Sequence, residues 1–558
     1  VTFSPATCAL GALLAAWVGG TAVAAPASIY VDAANHSGIE DGTPAFPFDT
    51  IREGIAAAAQ GDRVLVAAGV YLEALLMADG VSVIGAGAGT TILDATGQQS
   101  SAVTFDATRL EPELSGFTIR GGTGDLLGEI GGEPIRVAGG IMIVNSSPLI
   151  HDNRVVDNRV TQGHCLGGGI YVEGQESRPT IRRNVIARNV ASSSSIPGGS
   201  GRGGGMYVSL KNAAITIEDN LVADNVAVEG GGVWIDNEAS AVVVFARNRL
   251  ERNRAGYGGG LRLRDSAGSH SDVRNNLFVD NGSTAAGAVG GGIAAEASGT
   301  GAFRIVNNTF AGCSVPQGRG AGVMLDDMLA ATTASLVANN VFVGNAAAAG
   351  GGIDHTDFGG TIRSNDFHSN MGGDLYDAGG SGATLVGNLF VDPQLAGTFE
   401  NPYRPAAGSP LIDAASQPDA PADDHDAFPR PYDGNGDAIP RSDVGAHEFP
   451  AHEIEGLGFA GTHRLVWDTL VPQETYNLYR GSLDRLRLTG AYTQDPALEP
   501  LAGRFCGVLS AEVPFEDLLV PPVGKTVFYL ATRVLAAWES GLGDDGDGLP
   551  RPPPSGCH

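Results

Sequence analysis

Basic residues are scarce in this chain: 34 Lys and Arg stand against 62 Asp and Glu, a formal charge of −28. Such a surface repels phosphate backbones, which argues against a nucleic-acid partner. It suits a soluble exported protein, and it attracts calcium. Cysteine is sparse too, with five in 558 residues. Beyond the first 24 positions no apolar run reaches about 18 residues, so no membrane-spanning helix is expected. Walker loops, zinc-ligand spacings and Ser-His-Asp constellations are missing. The many Gly-Gly strings precede strand-like segments, not helices, which argues against a dinucleotide loop.

Glycine, by contrast, is abundant. There are 82 glycines, about twice the usual share of roughly 7%. Yet 43% of the residues are hydrophobic, so the chain is not a disordered one. A chain this long exceeds one compact core and must hold several domains or a repeat array. At the start, an apolar run from Ala9 to Ala24 ends in Ala22-Val23-Ala24, the small-residue pattern of a signal cleavage site. Residues 1–24 are therefore expected to be a secretory signal, although the usual n-region Lys or Arg is missing. Cys8 would leave with it.

Between Gly139 and about Val391 a glycine cluster recurs, at Gly167–Gly169, Gly203–Gly205, Gly230–Gly232, Gly258–Gly260, Gly290–Gly292 and Gly350–Gly352 among others. A short alternating segment follows each, such as Ile170-Tyr-Val172 or Val233-Trp-Ile235. Period two predicts a strand with one face buried. Further on comes a pair of asparagines five apart: Asn153/Asn158, Asn184/Asn189, Asn220/Asn225, Asn248/Asn253, Asn276/Asn281, Asn340/Asn345 and Asn365/Asn370. At Asn308 the second place is Cys313, and at Asn388 it is Pro393, where the stack is expected to end. A coil of some 25–35 residues cannot bury an apolar face alone. Coils stacked about 4.8 Å apart pair strand to strand and share one interior. Glycine then supplies tight corners, and each Asn amide bonds the Asn above and below.

This pattern resembles the pectate-lyase-like right-handed parallel β-helix superfamily over roughly residues 28–395. The resemblance implies an all-β fold: a right-handed parallel β-helix solenoid with an N-terminal capping helix and a small C-terminal β-sandwich. The segments Gly344-Asn-Ala346 and Gly350–Ile353 also resemble repeats of chlamydial polymorphic outer-membrane proteins, which are adhesins. The expected helix spans Asp49 to Gly61, with Thr50 and Glu53 as a capping box and Gly61 as its stop. Residues 25–95 are then the cap and first coils, and 96–395 the helix proper. Gly408–Ala414 and Asp443–Glu448 open and close a motif resembling the choice-of-anchor Q region, assigned to 396–450, with His447 where Tyr is usual. Residues 451–558 carry alternating strands and resemble a fibronectin type III-like module. Cys506 and Cys557 share it, and an oxidising compartment permits their pairing. Cys165 and Cys313 lie several coils apart and are expected to be buried fillers.

Stacking arranges outward residues in columns. One column contains Tyr171, Tyr207 and Trp234 on consecutive coils. Such a ladder either binds a glycan chain or is a stack covered by loops 123–137 or 191–202. Beside it lie Glu173, Asp236, Arg262 and Arg264. A lyase needs a base and a cation, for which Arg262 or Arg264 would serve. An inverting hydrolase needs two carboxylates about 6.5–9.5 Å apart. Glu173 and Asp236, two coils apart, lie at the edge of that range. The simpler alternative is a cross-strand ion pair between Asp236 and Arg264. Glu296 and Asp326, like charges on neighbouring coils, are expected to repel unless solvated or bridged. Asp433, Asn435 and Asp437 offer alternating oxygen ligands suited to calcium, against the alternative of a plain turn. The favoured expectation is a monomeric protein, secreted or displayed on a bacterial surface, that binds polysaccharide or another surface glycan along its flank. The alternatives are a polysaccharide lyase or hydrolase on that flank and a surface protein of purely structural role.

Overall fold

In the computed structural model the described residues are 26–535, with breaks at 176, 194–199, 284, 329–333, 381, 397–402, 436, 438, 450–456, 462, 468–474 and 490–498, plus 538–539 and Cys557. The expected signal segment lies outside them. No helix among them is long and apolar enough to cross a membrane.

Three parallel sheets of 13, 11 and 11 strands carry the fold. Each rung gives one strand to each sheet. In one rung these are Val233–Glu238 after the glycine cluster, Val242–Ala246, and Arg249–Glu251 between the two asparagines. We call the three the glycine-led, middle and asparagine-flanked sheets. Pairings such as Val233↔Leu261 and Asp236↔Arg264 place each rung directly over the next. The expected columns are therefore present. The first and third residues of the glycine-led strands point inward: Ile170, Val172, Val208, Ile235 and Leu263 have no exposed surface. Phe278, Phe310, Phe342 and Phe367 stack through the interior with ring centroids 4.8–4.9 Å apart, one per rung.

The asparagines work as a ladder. Asn153 donates its amide to the Oδ1 of Asn184 (3.2 Å), Asn184 to Asn220 (3.1 Å), and the series runs on to Asn388. Every one of these buried amides also donates to a backbone carbonyl, so no donor is stranded. The left-handed corner is taken by the residue before each Asn, not by the Asn. Asp152, Arg183, Asp219 and Arg247 all have φ between 50° and 57°. Their side chains leave the helix and pair in alternation, Arg183–Asp152 at 2.7 Å and Arg247–Asp219 at 2.7 Å. The first glycine of each cluster also has positive φ, between 62° and 69° from Gly167 to Gly350.

The capping helix is shorter than its sequence signal, Ile51–Ala57. Thr50 caps it as expected, but Glu73 also accepts from the N–H groups of Ile51 (2.8 Å) and Arg52 (3.1 Å). It ends at Ala58, ahead of Gly61, because Asp62 accepts from the N–H of Ala59 (2.8 Å) and turns the chain into the next strand. The first strand, Ser28–Val31, already pairs with Arg63–Val66 in the middle sheet, so the solenoid begins at the cap itself.

Residues 403–449 form a strap laid along the side of the solenoid. Leu411 and Val444 pack on Val341, and Ala446 on Leu277 and Val279, all on the outer side of the asparagine-flanked sheet. The two halves of the motif read in the sequence meet: Val444 N–H donates to the Leu411 carbonyl (3.1 Å) and Asp413 N–H to the Asp443 carboxylate (2.7 Å). The C-terminal module has antiparallel sheets of three and four strands around Leu465, Trp467, Tyr476, Leu478 and Val508. A short helix, Leu483–Thr489, was not legible in the sequence. Cys506 is joined to Cys557, with Cα atoms 5.6 Å apart. Cys165 and Cys313 are buried and unbridged.

Candidate functional site

The outward face of the glycine-led sheet divides at Trp234. On the earlier rungs Tyr171, Tyr207 and Trp234 do stack, nearly parallel, with centroids 5.4 and 6.5 Å apart. They are not open to solvent: their exposures are 2%, 7% and 2%. A β-hairpin, Asp125–Ile130 with Glu133–Val137, lies over them, and Ile135, Val137 and Ala138 pack on the rings. Arg202 covers the Trp234 face with its guanidinium 4.8 Å from the ring centroid. Of the two alternatives for this ladder, the geometry matches the stack covered by the 123–137 segment and not an exposed glycan-binding surface. Outward aromatics next to an inserted hairpin bury more apolar area under it than in water, and they pack as a second small core. In this conformation a sugar ring has no access to their faces.

Glu173 is exposed, and the Tyr171 hydroxyl donates to it at 2.6 Å. It lies two rungs from Asp236, with Ser209 between them in the column. Burial and the neighbouring carboxylate push the Tyr171 phenol well up.

Beyond Trp234 the face is charged. Arg262 sits behind the indole, 5.8 Å from its centroid, and pairs closely with Glu296 on the next rung. Arg264 lies between Glu296 (3.5 Å) and Asp236 (3.6 Å). The expected Asp236–Arg264 pair is therefore one arm of a four-membered network. Burial holds the Asp236 carboxyl above its usual range, with Arg264 pulling the other way. Asp326, one rung past Glu296, is raised by burial, by Glu296 and by Asp357. The expected Glu296–Asp326 repulsion is relieved on one side, because Glu296 faces two guanidiniums. Glu296 stands in the expected column, and what the sequence reading missed is its pairing with Arg262. Its signal was diagonal, Arg262 in one column and Glu296 in the other on the next rung, a contact long side chains make across strands. A bulge then shifts the register, so that Asp326 is followed by Asp357 in the column.

The loop of Asp433, Asn435 and Asp437 turns its oxygens on its own backbone. Asp437 N–H donates to Asn435 Oδ1 (2.8 Å) and Asp433 Oδ1 (3.1 Å), and Ile439 N–H to Asp437 Oδ1 (2.8 Å). These three groups make a turn, and the loop rests on Asp413, which accepts from Asn435 N–H at 2.9 Å. Elsewhere Asp424, Asp426 and His447 bring ligand atoms within 4.8 Å of one another. The carboxylate oxygens accept from Phe428 N–H (2.9 Å) and Glu448 N–H (3.0 Å) and face the Arg404 guanidinium (2.7 Å), while His447 Nε2 is buried without a hydrogen-bond partner.

No curated protein sequence matches the chain significantly. Among solved structures, the chain is similar to XylC in complex with xylose, at 10% identity and TM-score 0.37, over 66% of this chain and 87% of that one. It is similar to the GH136 lacto-N-biosidase of Eubacterium ramulus, at 13% identity and TM-score 0.35, over 65% and 68%. It is similar to a polygalacturonase of Erwinia carotovora, at 11% identity and TM-score 0.30, over 66% and 96%. The family model for the right handed beta helix region matches residues 77–244, 136–310 and 258–390. With these matches and three continuous parallel sheets, the chain belongs to the right-handed β-helix family.

Proposed function

We propose that this is an exported or surface-displayed protein that binds an extended, hydroxyl-rich polysaccharide along the glycine-led sheet beyond Trp234. The observation that carries this reading is the row Asp236, Arg264, Glu296, Asp326, one polar group per rung in a single column. Groups repeated about every 4.8 Å suit a ligand that is itself a repeating chain. Carboxylates accept hydrogen bonds from sugar hydroxyls, whereas a polyuronate would meet a protein of charge −28. The strap and the C-terminal module serve as spacers or surface attachments in this reading.

The test is retention in affinity gels cast with neutral and uronate glycans. Retardation by a neutral glycan, lost in Arg264→Ala and Asp326→Asn, is the expected result. Equal mobility in every gel sinks the proposal. A second reading is hydrolysis on the same row. It is favoured by two carboxylates, Asp236 and Glu296, that face Arg264 from adjacent rungs, with burial raising the Asp236 carboxyl above its usual range. Release of reducing ends, abolished by Asp236→Asn, would select it.

A further inference from the structure

Outside the flank, the strap carries more buried carboxyl groups than its cations can balance. Asp413, Asp424, Asp443 and Glu448 are 0–6% exposed. Among them lies Arg430, whose side chain is fully buried and pairs with Glu448 Oε1 at 2.7 Å. The other nearby guanidinium, Arg404, is engaged by Asp426 at 2.7 Å. His425 and His447 do not supply the difference, because burial lowers both imidazoles and keeps them neutral. The solenoid meets the stretch from Asp443 to Glu448 with neutral groups. Asn307 donates to the carbonyls of Asp443 (2.9 Å) and Gly445 (3.2 Å), and the Thr309 hydroxyl accepts from Ala446 N–H (3.2 Å). Arginines of the solenoid meet the strap elsewhere, Arg247 at Asp423 (2.8 Å) and Arg363 at Asp419 (2.5 Å).

Backbone donors relieve part of this charge. Asp424 accepts from three N–H groups, and Asp443 from those of Asp413 (2.7 Å) and Phe449 (2.7 Å). Glu448 is left short. Its Oε1 takes Asp443 N–H (2.9 Å) and Arg430, but its Oε2 is buried without a hydrogen-bond partner. An ionised oxygen in that position is strongly unfavourable. Asp443 and Glu448 are also neighbours, so a proton on either removes a charge that both must otherwise bear. Burial and the Glu448 charge hold the Asp443 carboxyl well above its usual range. Burial raises Glu448 as well, with Arg430 pulling the other way. Asp424 is pushed up to about 7 by burial and by Asp426.

We propose that the strap is a pH-sensitive latch: Asp443 and Glu448 dock it on the solenoid while they share a proton, and it lifts from the asparagine-flanked sheet when that proton is lost. Both acids sit in the segment that carries Val444 and Ala446 onto the sheet, so charge repulsion there acts directly on the docked contacts. Lifting uncovers Val341, Leu277 and Val279 and frees the amides of Asn275, Asn307 and Asn339 from the strap backbone. The sign follows from the raised acids. An undocked strap would return them to the ordinary range, about 4, so the docked form binds more protons. Docking is then strongest below about pH 4 and weakens as pH rises toward the docked values. The latch is independent of the polysaccharide reading, since no residue is shared.

The experiment is hydrogen exchange on the full chain, followed by mass spectrometry across pH and corrected for the intrinsic pH dependence of exchange. Chelator is present throughout, so that no metal supplies the counter-charge. Between about pH 5 and 7, protection of residues 403–449 should fall about tenfold per pH unit for each proton held, while the rungs beneath keep theirs. Glu448→Gln imitates the protonated acid and lets Asp443 ionise without a charged neighbour. Its slope should be shallower by about one proton, with the strap better protected than wild type at about pH 8. Strap protection in wild type that does not change with pH overturns the proposal, as does loss of strap and rungs together. An unchanged slope in Glu448→Gln overturns it too. Should that variant fail to fold, the wild-type slope decides by itself.

Discussion

Asn275 donates its side-chain amide to both the carbonyl (2.9 Å) and the carboxylate (3.1 Å) of Asp423, 148 positions later in the chain. Its own carbonyl lies 2.8 Å from His425 Nδ1. Asn275 occupies the left-handed corner that Asp152, Arg183, Asp219 and Arg247 hold on earlier rungs. On the next rungs Asn307 and Asn339 hold the same corner, donating to the carbonyls of Asp443 and Ser416. Where the strap lies, the salt-bridged corner gives way to neutral amides that can clamp a second backbone. Asn275→Ala should therefore lower stability by about 1–3 kcal/mol. Hydrogen exchange should show residues 403–449 losing protection ahead of the rungs beneath.

Trp234 tests the covered stack. Trp234→Ala removes a ring 2% exposed and should destabilise the protein by about 3–5 kcal/mol in urea unfolding. Retention of the folded variant by glycan gels should match wild type, because the ring lies under a guanidinium and a hairpin. Loss of retention at wild-type stability would restore the ladder as a binding surface.

Asp265 is an acid inside the solenoid. Its Oδ1 accepts from Asn237 (3.0 Å), Ser269 (3.1 Å) and Ser271 (3.0 Å), and burial pushes its carboxyl up to about 6. The folded state then holds this proton more tightly than the unfolded chain does. Its contribution is fully present below about pH 4 and lost as pH rises to about 6, roughly 3 kcal/mol over that span. Asp265→Asn should remove that slope from the difference between the two stability curves.

His151 lies between Asp152 (2.5 Å) and Glu113 (3.0 Å), and these partners raise its imidazole above the ordinary value against the pull of burial. A raised histidine stabilises the folded state below its unfolded value, about 6.5, and that support is lost as pH climbs through the folded one. Proton NMR should show His151 titrating above the exposed histidines, and Glu113→Gln should lower it.

Cys313 interrupts the second asparagine ladder. Its N–H still donates to Asn345 Oδ1 (2.9 Å), and its thiol reaches the Phe278 carbonyl at 3.5 Å. Cys313→Asn should restore an amide between Asn281 and Asn345 and raise stability by about 1 kcal/mol in chemical denaturation. A fall would mean that the site is too tight for the larger side chain.

The asparagine and glycine landmarks were legible because every rung repeats one backbone path. A corner that needs φ near 60° or an amide ladder at about 4.8 Å must be met again on each turn, so the residues recur in register. Thr50 announced the capping helix for a similarly local reason. Its stop was misread because Asp62, not the positive-φ Gly61, ends it. The flank was legible as columns but not as a surface. Nothing local to Tyr171 or Trp234 tells that Ile135 and Val137 lie on the rings, or that Arg264 faces Glu296 as well as Asp236.

Periodicity thus specified the stacked strands, their inward residues and their two ladders, since a solenoid makes each of these through contacts between neighbouring turns. Which outward residues meet water was settled by the hairpin and the strap. Those covers contact rungs far away in the chain, as Asn275 and Asp423 do, and no repeat records contacts made once. The buried acids of the strap, from Asp413 to Glu448, come together for the same reason.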